Sequence, residues 1–213
     1  GGMSQYVAWF NGKPVLDPDV TGKWDAFMEN SASFYREPRA QQVFRRVIEQ
    51  IITRRNTVTG RDYRDDPTIM SWQLANERRP GSDATDRANF APFVDWIEQT
   101  AAFIGALAPK QLVSTGNEGW RGSAGDKELF LKAHASAHVD YLTFHLWAAN
   151  WSWYDPKRPA ATYDSAWIKA QDYINWHIDA AGRLGKPIVL EEFGLNRDNG
   201  AFEVAAPTSY RHR

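Results

Sequence analysis

Four times along the chain an amphipathic segment is followed by a polar turn and a short apolar run, and this alternation restricts the fold more than any other feature. The spacing predicts helices over residues 37–55, 89–107, 126–138 and 162–184, and strands over 68–75, 111–116, 141–147 and 187–193. Helices alternating with strands imply a parallel sheet, because a crossover helix brings the next strand back in the same direction. Pro67, Pro109 and Pro187 stand just before or at strand starts, where a missing N–H costs least.

Two architectures satisfy this pattern, a doubly wound open sheet and a (β/α)8 barrel. No GxGxxG or GxxxxGK[ST] turn follows any strand, so a phosphate-cradling nucleotide fold has no support. Polar residues gather instead at the C-terminal strand tips: Asn76 and Glu77, then Asn117 and Glu118, then His145 and Trp147, then Glu191 and Glu192. A barrel enzyme builds its active site from that rim. A full barrel needs eight strands and about 250 residues, whereas four strands are readable here. Residues 1–20 read as a long loop that has left an earlier strand, and residues 196–213 as another loop. The expected fold is therefore α/β, a (β/α)8 TIM barrel of which this chain supplies only about four central βα units, roughly strands 4 to 7. Its 213 residues suffice for one sizeable core and are read as a single unit, 1–213, a partial barrel domain with N-terminal strands and the last strand missing.

Charge and composition narrow the partners. Lys plus Arg total 25 against 26 for Asp plus Glu, so no basic excess points to nucleic acid or an anionic membrane. The chain has no cysteine, which excludes disulfides and thiolate metal sites. No apolar run approaches the length of a membrane span, so no membrane insertion is expected, and no charged-then-apolar leader is visible at the start. Aromatic residues reach 14%, many in polar neighbourhoods such as HLWAANWSWYD, a composition suited to flat neutral ligands with apolar faces, sugars among them.

The two stretches richest in chemistry are WQLANERRP, ending in Asn76, Glu77, Arg78 and Arg79, and IVLEEFG, which delivers Glu191 and Glu192. Two carboxylates on one rim are the minimum machinery of glycoside hydrolysis, one donating a proton and one acting as nucleophile or base. At a separation of about 5 to 5.5 Å the outcome is retention through a covalent glycosyl-enzyme. For Glu77 the ordinary alternative is a surface acid paired with Arg78 or Arg79. Strand alternation sends Glu191 to the face opposite Glu192.

The succession ANE, FHLW, EEFG resembles glycoside hydrolase family 5 of clan A, specifically its endo-β-1,4-mannanases. IITRRNTVTGRDYRDDPTIMSWQLANE, STGNEGW, YLTFHLWAANWSWYD and PIVLEEFGLNRDNG, with GGMSQYV ahead of them, look like segments of those enzymes in the same order across nearly the whole chain. The resemblance implies Glu77 as general acid/base, with its pKa raised by the nearby carboxylate and partial burial, and Glu192 as nucleophile. It implies that Asn76 binds the sugar 2-hydroxyl, that His145 lies near the reacting sugar, and that Arg79, with Glu118 nearby, binds on the leaving-group side. Glu191 is then structural or supportive. Many relatives carry a Tyr two residues after the His, bonded to the nucleophile; here Trp147 stands in that place and offers only an indole N–H. Trp147 is left as a donor or stacking residue, and Trp151 and Trp153 as sugar platforms or loop packing.

His134, His138 and His177 fall on predicted outer helices and read as structural or solvated. No HExxH-like ligand spacing occurs, so neither a metal nor any other cofactor is implied. The resemblance implies a retaining endo-β-1,4-mannanase acting on mannan, galactomannan or glucomannan, extracellular or in the cell envelope, and a monomer when full length. An endo-β-1,4-glucanase of the same clan, and a non-catalytic glycan-binding or unstable piece of a barrel, are the alternatives.

Overall fold

In the computed structural model, residues 3–15 and 17–211 are described; Gly1 and Gly2 of the GGMSQYV stretch, Leu16 of the first expected loop, and His212 and Arg213 of the last lie outside them. The chain forms two compact units, Gly1–Thr143 and Phe144–Arg213.

The first unit opens on helices where a loop was expected. Helix α1 spans Met3–Asn11 and buries Met3, Ser4 and Val7; α2 is the single turn Pro18–Thr21, and α3 runs Trp24–Ala32. The reading of residues 1–20 as one long loop is therefore corrected. α1 is only nine residues long, too short to be stable alone, and it forms because tertiary contacts hold it. Tyr6 meets Phe34 and Phe44 edge-on, with ring centroids 6.3 and 5.4 Å away.

Helix α4, Pro38–Ile52, starts where Glu37 accepts a hydrogen bond from the Arg39 N–H and Pro38 fills the first turn, a position that needs no donor. Strand β1, Ser71–Gln73, is shorter than the expected 68–75. Asp66 accepts from both the N–H and the hydroxyl of Thr68, and this turn holds the preceding residues out of the ladder. Helix α5, Phe90–Leu107, buries Phe93, Trp96, Ile97, Thr100, Ala101 and Ile104, a continuous stripe at helical spacing. Strand β2, Leu112–Ser114, pairs with β1 in parallel, Trp72 opposite Val113, and a parallel bridge joins Ser114 to Tyr141. Helix α6, Lys127–His134, is capped by Asp126 and stops before the expected residue 138. The Ser136 hydroxyl accepts the His138 N–H, a local bond that competes with further helix. The core of this unit is an aromatic cluster in which Phe34, Tyr35, Phe93 and Trp96 are buried and in edge or tilted contact. It ties α1, α4 and α5 to the strands.

Strand β3, Leu142–Trp147, begins in the first unit and continues into the second, where it pairs with β4, Ile188–Gly194. Between them lies α7, Pro159–Leu184, begun by Pro159 and closed by Gly185 in the left-handed conformation. Phe144 of β3 stacks on His177 of α7, 4.6 Å between centroids and 7° from parallel. After β4 the described residues form turns and one 3-10 turn, Asp198–Gly200, matching the expected terminal loop. No helix among the described residues is long and apolar enough to cross a membrane.

His134 and His177 are structural. Both are buried, and each directs Nδ1 to a carbonyl one turn earlier, Phe130 and Tyr173, at 2.7 Å; His134 also bonds Thr115. His138 is half-exposed on a turn, 3.7 Å from Glu98.

Candidate active site

In the first unit the tip of β1 carries Asn76 and Glu77 into a chain reversal. Glu77 adopts φ +46°, in the left-handed region that L side chains rarely occupy, and its N–H donates to the Gly116 carbonyl at 3.0 Å. Gly116 is itself at φ +67°, and any β-carbon there would collide with the Ala75 carbonyl. The close approach of the two strand tips thus requires glycine on one and sets the backbone of the acid on the other. Asn76 is exposed and Glu77 half-buried.

Arg78 and Arg79 part company. Arg78 is buried, donates to the Thr115 carbonyl, and lies over Phe93 and Trp96 at 5.7 Å from each ring centroid, where cation–π attraction offsets part of its desolvation. Arg79 donates from Nε to Glu118 Oε1 at 2.6 Å. Glu118 is only 4% exposed in its side chain, so this is not a solvent-screened surface pair. Burial acts to lower the Arg79 pKa, but the charge and hydrogen bond of Glu118, with Glu77 and Asp83 adding, reverse that and raise it. Tyr35 also donates to the Arg79 carbonyl at 3.1 Å, holding the loop to the aromatic core. Asn117, fully buried, accepts the Gly119 N–H at 2.7 Å and so fixes the turn that presents Glu118.

In the second unit β3 and β4 bring His145, Trp147, Glu191 and Glu192 together. The Trp147 indole N–H donates to Glu192 Oε2 at 3.1 Å. This is the donor arrangement, one of the two roles left open for Trp147. His145, 1% exposed, sets Nδ1 3.3 Å from the same Oε2, while its Nε2 lies 3.9 Å from Glu191 Oε2. The expectation that Glu191 is spent on the opposite face is corrected: alternation fixes where Cβ leaves the strand, but a Glu side chain is long enough to return to a neighbouring ring.

Gly194 was not singled out from sequence. A β-carbon placed there would stand 2.5 Å from Cζ3 of Trp147, so the indole reaches Glu192 only because residue 194 has no side chain. Gly194→Ala is expected to displace the indole, lowering stability by about 1–3 kcal/mol and weakening catalysis more than substrate binding. Denaturant titration and a separate determination of kcat and KM check this. Trp151 and Trp153 pack edge-on at 4.9 Å, and Trp151 lies 5.1 Å from the buried Tyr173 of α7. Both are half-buried, anchored to α7 with part of each ring still in solvent.

A family model described as GH family 5 beta-mannosidase-like matches residues 1–213. The chain belongs to glycoside hydrolase family 5. Within that family it is 31% identical to mannan endo-1,4-beta-mannosidase 8 of Oryza sativa subsp. japonica, over 95% of this chain and 53% of the rice protein. Among solved structures, the family 5 mannosidase from Rhizomucor miehei superposes with a TM-score of 0.85 at 36% identity, covering 99% of this chain and 50% of that one. The endo-1,4-beta-D-mannanase from Thermotoga petrophila RKU-1 gives 0.69 at 29% identity, covering 99% and 54%. The chain thus spans about half the length of the relatives it matches.

Proposed function

We propose that the protein carrying this chain is a retaining endo-β-1,4-mannanase acting on mannan, galactomannan or glucomannan by double displacement. The observation that carries the reading is the double hold on one oxygen of Glu192, by the Trp147 indole and His145. A nucleophile must approach the anomeric carbon along one line, and a carboxylate clamped through Oε2 presents Oε1 in a fixed direction. In this scheme Glu77 protonates the leaving oxygen and then, as base, activates water. Asn76 receives the sugar 2-hydroxyl, and the Arg79–Glu118 pair receives the sugar on the leaving-group side. Trp151 offers a partly exposed ring to a sugar face.

We infer that these residues belong to about four of the eight βα units of a TIM barrel, a reading supported by four strands among the described residues and by half-length coverage of the relatives. The substrate is an extracellular polymer, which favours an extracellular or cell-envelope protein, and the reading includes a monomer. The test is hydrolysis of pure mannan, glucomannan and carboxymethylcellulose, with the anomer first released followed by proton NMR. Falling viscosity of mannan and a β-configured product are expected. Preference for carboxymethylcellulose makes the enzyme a glucanase, and an α-product excludes double displacement.

A second reading is favoured by one observation. The likeness to the Rhizomucor mannosidase exceeds that to the Thermotoga mannanase in both TM-score and identity, and the same Rhizomucor enzyme is known as a mutant in complex with mannosyl-fructose. An enzyme trimming single mannosides from short substrates would release mannose from mannobiose while leaving polymer viscosity unchanged.

A further inference from the structure

We propose that Glu191 is a positioning residue for Glu192, acting through the imidazole of His145; this rests on the reading of Glu192 as nucleophile. His145 is buried between two carboxylates, Nδ1 toward Glu192 at 3.3 Å and Nε2 toward Glu191 at 3.9 Å, with the Glu191 side chain 18% exposed. A carboxylate oxygen facing a ring nitrogen favours a proton on that nitrogen. With an acid facing each nitrogen, the ring is held as the doubly protonated imidazolium, one N–H toward Glu192 and the other toward Glu191. The same contact resists a flip of the ring, since turning it about Cβ–Cγ would put carbon where each nitrogen now faces an acid.

The consequence falls on Glu192. Its Oε2 accepts from the Trp147 indole and lies 3.3 Å from Nδ1, so two contacts on one oxygen fix the carboxylate plane and assign the attack to Oε1. Without Glu191 the ring loses an acid that orients it, and the indole has to hold the nucleophile with less help. Two carboxylates on adjacent residues also repel, and the imidazolium charge between them offsets that repulsion.

The test compares wild type, Glu191→Gln and Glu191→Asp in the protein carrying this chain. The readouts are kcat and KM on mannan and the side-chain ¹⁵N resonances of His145, assigned by loss in His145→Gln. Glu191→Gln is expected to lower kcat about tenfold to a hundredfold with KM little changed and to move the Nε2 resonance; Glu191→Asp recovers part of both. An active protein whose His145 resonances and kcat ignore Glu191→Gln overturns the positioning role and leaves the mannanase reading intact. A wild type without glycosidase activity overturns both.

Discussion

On the mannanase reading, Glu192→Ala is expected to remove turnover, with kcat on mannan falling by about 10⁴-fold or more and substrate binding retained. The size follows from the role: without a nucleophile no covalent glycosyl-enzyme forms, and water must attack an anomeric carbon still carrying a poor leaving group. The variant should fold, because Glu192 is a strand-tip residue with its side chain 35% exposed, and shortening it opens no cavity in the core. A small external anion supplies the diagnostic. Azide entering the space left by the carboxylate restores cleavage of an activated aryl β-mannoside and yields the inverted, α-configured mannosyl azide. Glu192→Ala with wild-type activity on mannan would falsify the assignment. Trp147→Phe, which keeps the ring and deletes the N–H bonded to Oε2, should cost less than the alanine change and lower kcat more than it raises KM.

How far the sequence foretold this arrangement depends on the range over which each feature is determined. The four main helices and four strands come from local periodicity, and all eight are present with shifted ends, most of them trimmed. The last helix starts three residues earlier, at Pro159, and the last strand runs one residue further, to Gly194. The ends moved where a side chain competes for the backbone, as Asp66 does ahead of β1 and Ser136 after α6. Helix α1 went unread because nine residues carry little periodicity, and the aromatic partners that hold it, Phe34 and Phe44, lie far along the chain. The strand tips offered Glu77 and Glu192 as the two acids on which the mannanase reading rests. They could not reveal that Gly116 and Gly194 are required, because a β-carbon at each would meet a distant neighbour, Ala75 and Trp147. Glu191 illustrates the same limit: strand parity predicts the direction of a Cβ, whereas the resting place of a carboxylate depends on the ring opposite.

Glu77 offers the second large effect, in which catalysis and stability move in opposite directions. Glu77→Ala is expected to reduce turnover of mannan about 10²- to 10⁴-fold, because no acid protonates the departing oxygen and no base activates water. An aryl mannoside with a good leaving group escapes the first loss, so the variant glycosylates quickly, then stalls, showing a burst equal to the enzyme present. The backbone adds a prediction that the chemistry alone would not. With φ at +46°, Glu77 holds a conformation costing an L residue about 1 kcal/mol. Alanine inherits that strain and glycine does not. Glu77→Gly should therefore be as inactive as Glu77→Ala yet more stable by about 0.5–1 kcal/mol, the gain being partly offset by glycine's freer unfolded chain. Urea titration of the two variants decides it, and equal midpoints would mean that the turn is not strained. On the mannanase reading, a carboxylate is kept where glycine is more comfortable because it serves as the acid and base: the Gly116 carbonyl fixes the Glu77 N–H, and the reversed backbone directs the side chain.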